Sequence, residues 1–245
     1  MVLKDLETFS VERVYKDGRL VAYEGKALPF PQTREEPRPS WPIRMPALSA
    51  ESLRIRRQSA KARVIEVIPG QILTRAGVQE PASVDGWICS DVRRDILKLV
   101  VVERHRGTGR IGRGLVHGFG LKSGALASSV AHDSHNIIAV GVEDLDLLTA
   151  IKEVRRMGGG LVAATGEKVL AEAPLEIAGL MSKEPLESLC ARLQSLSNAA
   201  KALGCSLPEP FTALSFLSLP VIPELKLTDR GLVDVQAFAE VPLFV

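Results

Sequence analysis

The chain has 245 residues, 46% hydrophobic and 24% charged, which supplies enough apolar material for a full core and excludes a disordered or fibrous chain. Thirty-one Lys and Arg against twenty-nine Asp and Glu leave a formal net charge of +2, so no global field draws the chain onto nucleic acid or an anionic membrane. Cys89, Cys190 and Cys205 are odd in number, widely spread and free of CxxC spacing, which argues against a disulfide framework or thiolate zinc site and points to a reducing cytoplasm.

The start, MVLKDLETFS, is acidic and lacks an apolar h-region, so no signal peptide is expected. Val11–Tyr15 and Leu20–Tyr23 flank Asp17-Gly18, a good hairpin signal. Two strands bury too little surface to offset the chain entropy they lose, so this hairpin, residues 1–28, must pack on something else. Six prolines (Pro29, Pro31, Pro37, Pro39, Pro42 and Pro46) then fall within eighteen residues, so 29–52 is expected to be a linker or extended arm, and residues 1 to about 52 are expected to pack poorly on the main domain unless a partner or symmetry mate covers them.

From residue 53 to 245 the pattern is mixed α and β. Lys61–Ile68, the β-branched run Ile96–Val102, Asn136–Gly141 and Leu161–Ala164 are strand candidates. A helix is expected over Glu143–Met157, with Leu145, Leu148, Ile151 and Val154 as its apolar stripe and Gly158 ending it. A second is expected from about Ser182 to Leu203, with Leu186, Leu189, Leu193 and Leu196 inward and Gly204 as its stop. The stretch Ala213–Ile222 is only ten residues long and contains Pro220, so no membrane span is expected. Glu224–Leu227 and Leu232–Val235 read as two short strands around Thr228–Gly231. The fold class is thus α/β, a layered sheet domain with flanking helices, preceded by the hairpin and the proline-rich arm.

Three clusters carry chemistry. Gly107-Thr-Gly-Arg-Ile-Gly112 satisfies GxGxxG after a strand, but the further glycines through Gly120 disfavour the helix a dinucleotide site needs, and a flexible or sharply turning loop is expected instead. Arg104, His105, Arg106, Arg110 and Arg113 make that loop basic, but only Phe119 stands near as an aromatic platform, so a solvated or interface-lining loop is favoured over RNA contact. His132-Asp-Ser-His-Asn136 is the densest polar cluster and holds two of the four histidines, placed before an apolar strand. His beside Asp suits proton transfer or metal ligation, whereas the plainer alternative is a set of loop residues pinning a turn. If extended, the segment would point His132 and Ser134 one way and Asp133 and His135 the other.

The strings Gly114–Leu121, Ser129–Asn136 and Leu219–Leu232, with Val67–Gln71 upstream, closely resemble the C-terminal domain of bacterial and archaeal adenine deaminases of the amidohydrolase superfamily. The likeness covers nearly the whole chain, and the hairpin Val14–Ala22 resembles the last piece of the small β-sandwich that accompanies amidohydrolase barrels. The resemblance implies a hydrolase of purine metabolism that converts adenine and water to hypoxanthine and ammonia. In such enzymes a manganese or iron centre in a (β/α)₈ barrel makes the attacking hydroxide. This chain has no HxH and no room for such a barrel, so it looks like the truncated C-terminal half, inactive alone, expected to hold no cofactor or metal itself. A separately encoded barrel or a homo-oligomer is the expected partner. The alternative is a non-catalytic purine-binding or assembly module derived from the enzyme. His132, Asp133 and His135 are the pocket-side candidates, and Asn136 and His117, in the same strings, are the candidates for substrate contact.

Overall fold

A computed structural model describes residues 1–29 and 42–245, which fall into two compact units, Met1–Pro39 and Ser40–Val245. In the first, β1 (Val2–Leu3), β2 (Val11–Lys16), β3 (Arg19–Tyr23) and β4 (Lys26–Ala27) form an antiparallel sheet in chain order. The expected hairpin is its centre, with Asp17 and Gly18 both at positive φ in the tight turn. No described residue of this unit is buried, and Phe9, Tyr15, Leu20 and Tyr23 are exposed. Half of the expected arm, residues 30–41, lies outside the described residues.

The arm's described end corrects the expectation of a loose linker. Met45 is buried, Ile43 and Leu48 pack beside it, and the 3-10 turn Ala50–Leu53 buries Leu53, because these apolar side chains help cover one face of the main sheet. Arg44 donates its backbone N–H to the Arg104 carbonyl (2.8 Å), which ties the segment down.

The second unit is built on an eight-stranded sheet. Its strands are β5 (Ala62–Val67), β6 (Thr74–Gln79), β9 (Ile96–Val102), β10 (Ile111–His117), β11 (Ala125–Ser128), β12 (Ile137–Gly141), β13 (Gly160–Thr165) and β14 (Lys168–Pro174). Their order is β14-β13-β11-β12-β9-β10-β5-β6, antiparallel except for β10 against β5. A small ribbon of β7 (Ser83–Val84) and β8 (Trp87–Ile88) lies between β6 and β9 in sequence. The central strand β9 is buried along its whole length, which is why it reads as an almost continuous apolar run. Period-2 alternation sends Val100 and Val102 to one face and Leu97, Leu99 and Val101 to the other.

The first face is covered by α1 (Asp144–Arg156), which turns Leu147, Leu148, Ala150, Ile151 and Val154 inward. Leu145 is exposed, so the expected stripe is displaced onto Leu147, which 3.6-residue periodicity places on the face of Ile151 and Val154. Lys98, on the same face, is buried and reaches Asp144 at the helix start (Nζ to Oδ1, 2.7 Å), a favourable pairing of a carboxylate at a helix N-terminus with a cation in the sheet.

The opposite face is covered by α2 (Leu186–Ala202), α3 (Pro210–Phe216) and a ribbon of β15 (Leu225–Thr228), β16 (Gly231–Asp234) and β17 (Ala239–Val241). The second expected helix is present, but only its 189/196/200 row faces the core. Leu186, about 60–80° around the helix from Leu189 and Leu196, is exposed, and Leu193, nearer the edge of the core row, is exposed to a lesser degree. The glycine-rich stretch is also corrected: from Ile111 it is strand, not loop. A Cβ on Gly112 would lie 1.8 Å from the Thr228 carbonyl oxygen, and one on Gly114 would touch Leu227 and Leu232, so these glycines let β15 and β16 lie flush on β10. Among the described residues no helix is long and apolar enough to cross a membrane.

Candidate functional site

The polar cluster 131–136 is a turn that enters β12, not an extended segment, so alternation does not govern it. His135 sits at φ 49°, and its N–H closes on the Ala131 carbonyl (2.6 Å). His132 is anchored on α3 through its N–H to Ser215 O (3.0 Å), and Ser218 Oγ donates to the His132 carbonyl (3.2 Å). Its ring lies 4.6 Å from Phe216 and 5.4 Å from His135, the latter edge to face. Burial is the main cause that pushes the His135 imidazole below its usual pKa, helped by His132 and Arg104, so it stays neutral at lower pH than an exposed histidine. Its Nδ1 is buried without a partner.

Asp133 and Ser134 are exposed and open onto a cavity of about 470 Å³ shared with Ser218, Val221, Asp229, Arg230, Phe238 and Glu240. Asn136 is turned inward instead. It is buried, its Oδ1 accepts the Arg104 N–H (3.3 Å), and its Nδ2 donates to Asp229 Oδ1 (3.2 Å). Asp229 also receives Arg110 Nε on its other oxygen (2.7 Å). Asn136 therefore frames the site and lines none of its cavities.

His117 is not part of this group. It pairs with Ile96 at one end of β9, whereas the turn 131–136 leads into Ile137, which pairs with Val102 at the other. Six strand steps separate the two ends, about 20 Å. The structure thus packs the His132 and His135 rings against each other, turns Asp133 onto the cavity it shares with Ser218 and His135 onto a separate one, supports the turn through Asn136, and places His117 elsewhere.

Glu103, which sequence reading passed over, and the arginines of the basic loop complete the site. Glu103 is buried and accepts hydrogen bonds from the amides of His105 (2.6 Å), Arg106 (2.7 Å) and Thr108 (2.9 Å) and from the Thr108 hydroxyl (2.9 Å). Burial raises its pKa, but these donors outweigh burial and bring the carboxyl down to about 2. The basic loop is therefore an ordered ring around one carboxylate, with Gly107 and Gly109 at positive φ where it turns. Ile111 then opens a strand, so Gly112 starts no helix and no helix N-terminus faces the loop. Residues 105–110 are exposed, as expected of a solvated loop, but Arg104 at its base is buried. Its Nε donates to the His135 carbonyl and its Nη2 to the Ala178 carbonyl (2.9 Å). Arg113 is half-buried, and its guanidinium donates to Ser52 O through Nη2 (2.6 Å). The one signal in the sequence was the charge alternation Glu103-Arg104 before the glycines.

Among the described residues no three His, Cys, Asp or Glu groups are placed to hold a metal. His132 and His135 pack edge to face beside Phe216 rather than converging, so this donor set does not fit the metal centre of the resembling enzymes. What the arrangement offers is an imidazole pair and an exposed carboxylate on a rigid turn.

The sequence profile of the adenine deaminase C-terminal domain matches residues 71–239. An adenine deaminase of Desulfatibacillum aliphaticivorans is 51% identical over 244 residues, covering 100% of this chain and 43% of the relative. That of Methanothrix thermoacetophila is 49% identical over 238 residues (97% and 40%), and that of Geobacillus kaustophilus 46% over 249 (99% and 43%). The chain spans about two fifths of the length of these relatives.

Proposed function

The chain belongs to the adenine deaminase C-terminal domain family, and from that premise we propose that it is the C-terminal portion of an enzyme of purine metabolism that hydrolyses adenine to hypoxanthine and ammonia. It supplies loops that shape the purine pocket and surfaces that assemble with a metal-bearing barrel. The barrel, separately encoded or carried by a longer chain, brings the manganese or iron, which when bound supplies the hydroxide nucleophile. This chain's own residues bind and orient. The observation that carries the reading is the turn 131–136, held rigidly by α3, Arg104 and Asn136 while Asp133 remains exposed. A carboxylate there accepts a hydrogen bond from the exocyclic amine of a purine, and a neutral imidazole accepts or relays a proton at a ring nitrogen. The free thiols of Cys89, Cys190 and Cys205 support a reducing cytoplasm as its compartment.

The test is made in the deaminase reconstituted with its barrel. Alanine at His132, Asp133 or His135 lowers kcat/KM for adenine by about a hundredfold, with metal content and Tm nearly unchanged. Parallel loss of stability and activity in all three sinks the assignment and leaves the turn a structural anchor. Adenine binding by this chain without any barrel, measured calorimetrically, would favour the non-catalytic purine-binding module instead.

A further inference from the structure

We propose that the cavity beside the turn 131–136, lined by Arg44, Arg104, His105, Ser134, His135 and Leu180, binds a small oxyanion, a phosphate or a carboxylate. This goes beyond the deaminase reading, because adenine and hypoxanthine are neutral and leave the charge of this cavity unexplained. The cavity measures about 330 Å³, ample for either anion, and every ionisable group lining it is an arginine or a histidine. Among the described residues no carboxylate lines it.

The acids nearby are engaged or turned elsewhere. Glu103 is spent on the amides of its own loop, and Asp229 holds Arg110 and Asn136. Asp133 is exposed and opens onto the neighbouring cavity. Arg104 is 4% exposed, yet the acceptors of its guanidinium among the described residues are the carbonyl oxygens of His135 and Ala178, which take two of its five N–H groups and match none of its charge. Burial accordingly lowers its pKa. A buried cation without a counter-charge is costly, and an anion entering the cavity recovers that cost. His135 adds the one buried side-chain nitrogen among the described residues that has no partner. Arg44, tied by its own backbone to Arg104, presents a second, exposed guanidinium at the mouth, and the planar fork of arginine suits the oxygens of phosphate or carboxylate.

The experiment is calorimetric titration of the full chain with inorganic phosphate at pH 7, with sodium chloride of matched ionic strength as the reference. Saturable binding is expected, weakened about tenfold by Arg44→Gln and by His105→Gln and unaltered by Arg93→Gln, whose side chain is exposed away from the cavity. Melting curves of the variants verify folding, since Arg44 and His105 are exposed. Competition by acetate identifies the natural occupant as a carboxylate, and phosphate binding that acetate leaves undisturbed identifies a phosphate; both support the site. Heats no larger than those of chloride, or Arg44→Gln and His105→Gln binding like the unaltered chain, overturn it. Neither result bears on adenine turnover, so the deaminase reading stands or falls by its own test.

Discussion

Glu103 shows how one side chain converts a run of arginine and glycine into a fixed loop. Its carboxyl, near 4.5 in the unfolded chain and about 2 when folded, binds its proton more weakly in the native state. Its stabilisation is therefore complete above about pH 4.5 and disappears as pH falls through about 2. A shift of that size corresponds to roughly 3 kcal/mol. Glu103→Gln is expected to lower stability by about 2–3 kcal/mol at pH 7 in urea titrations, with the gap to the unaltered chain closing as pH falls from 4.5 towards 2. Lys226 runs the other way. It is fully buried, with Nζ on the Ile72 carbonyl (2.8 Å), and desolvation brings its pKa from 10.5 down to about 8. The folded state binds this proton less tightly than the unfolded one, so stability rises between about pH 8 and 10.5. Lys226→Met removes the buried charge at nearly constant volume, and its Tm should exceed that of the unaltered chain at pH 7 and approach it at pH 10. A lower Tm at pH 7 would mean that the bond to Ile72 outweighs the desolvation of the amine.

At the scale of elements, the contact between β10 and the β15–β16 ribbon decides where the site can form, because it brings Asp229 over Asn136 and Arg110. That contact depends on a missing Cβ. The nearest atoms to a Cβ at Gly112 are backbone, Thr228 O at 1.8 Å and C at 2.9 Å, whereas at Gly114 they are leucine methyls at 3.4 Å. Side-chain ends yield more easily than backbone, so Gly112→Ala is expected to cost about 3 kcal/mol or more and Gly114→Ala distinctly less, measured by thermal unfolding. Equal costs at the two positions would show that the ribbon shifts freely on the sheet. The α2 helix shows the converse, since its exposed Leu186 and Leu193 lie on its solvent side while Leu196 and Ala200 carry the packing.

At the scale of the whole molecule, every buried residue among those described lies at Met45 or beyond, so the second unit holds a complete core of its own. The first unit is a four-stranded sheet whose described residues include none that is buried, below what sheets need for independent stability. Together they provide no constellation of three metal ligands among the described residues. Adenine incubated with the purified chain and manganese, or with ferrous iron under anaerobic conditions, is accordingly expected to release no ammonia. Release that scales with chain concentration and metal would contradict the division of labour proposed between this portion and a barrel.

Local sequence alone determined the β2–β3 hairpin through Asp17-Gly18, the buried strand β9 through its unbroken apolar run, and the existence of α1 and α2 through periodicity and terminal glycines. Long low-degeneracy strings such as Ser129–Asn136 identified the family. Which row of each helix turned inward was not legible, because neighbouring apolar rows differ by a small rotation that only the opposing sheet selects. Nor was the strand character of Gly112–His117, since glycine has low strand propensity and here is tolerated for the sake of a ribbon more than a hundred residues away. The site shows the same division. His132, Asp133 and His135 could be chosen from one short string, but Asn136's inward turn, His117's place at the far end of β9 and the pairing of Asn136 with Asp229, 93 residues on, are set by sheet register and tertiary packing, which short-range patterns do not encode.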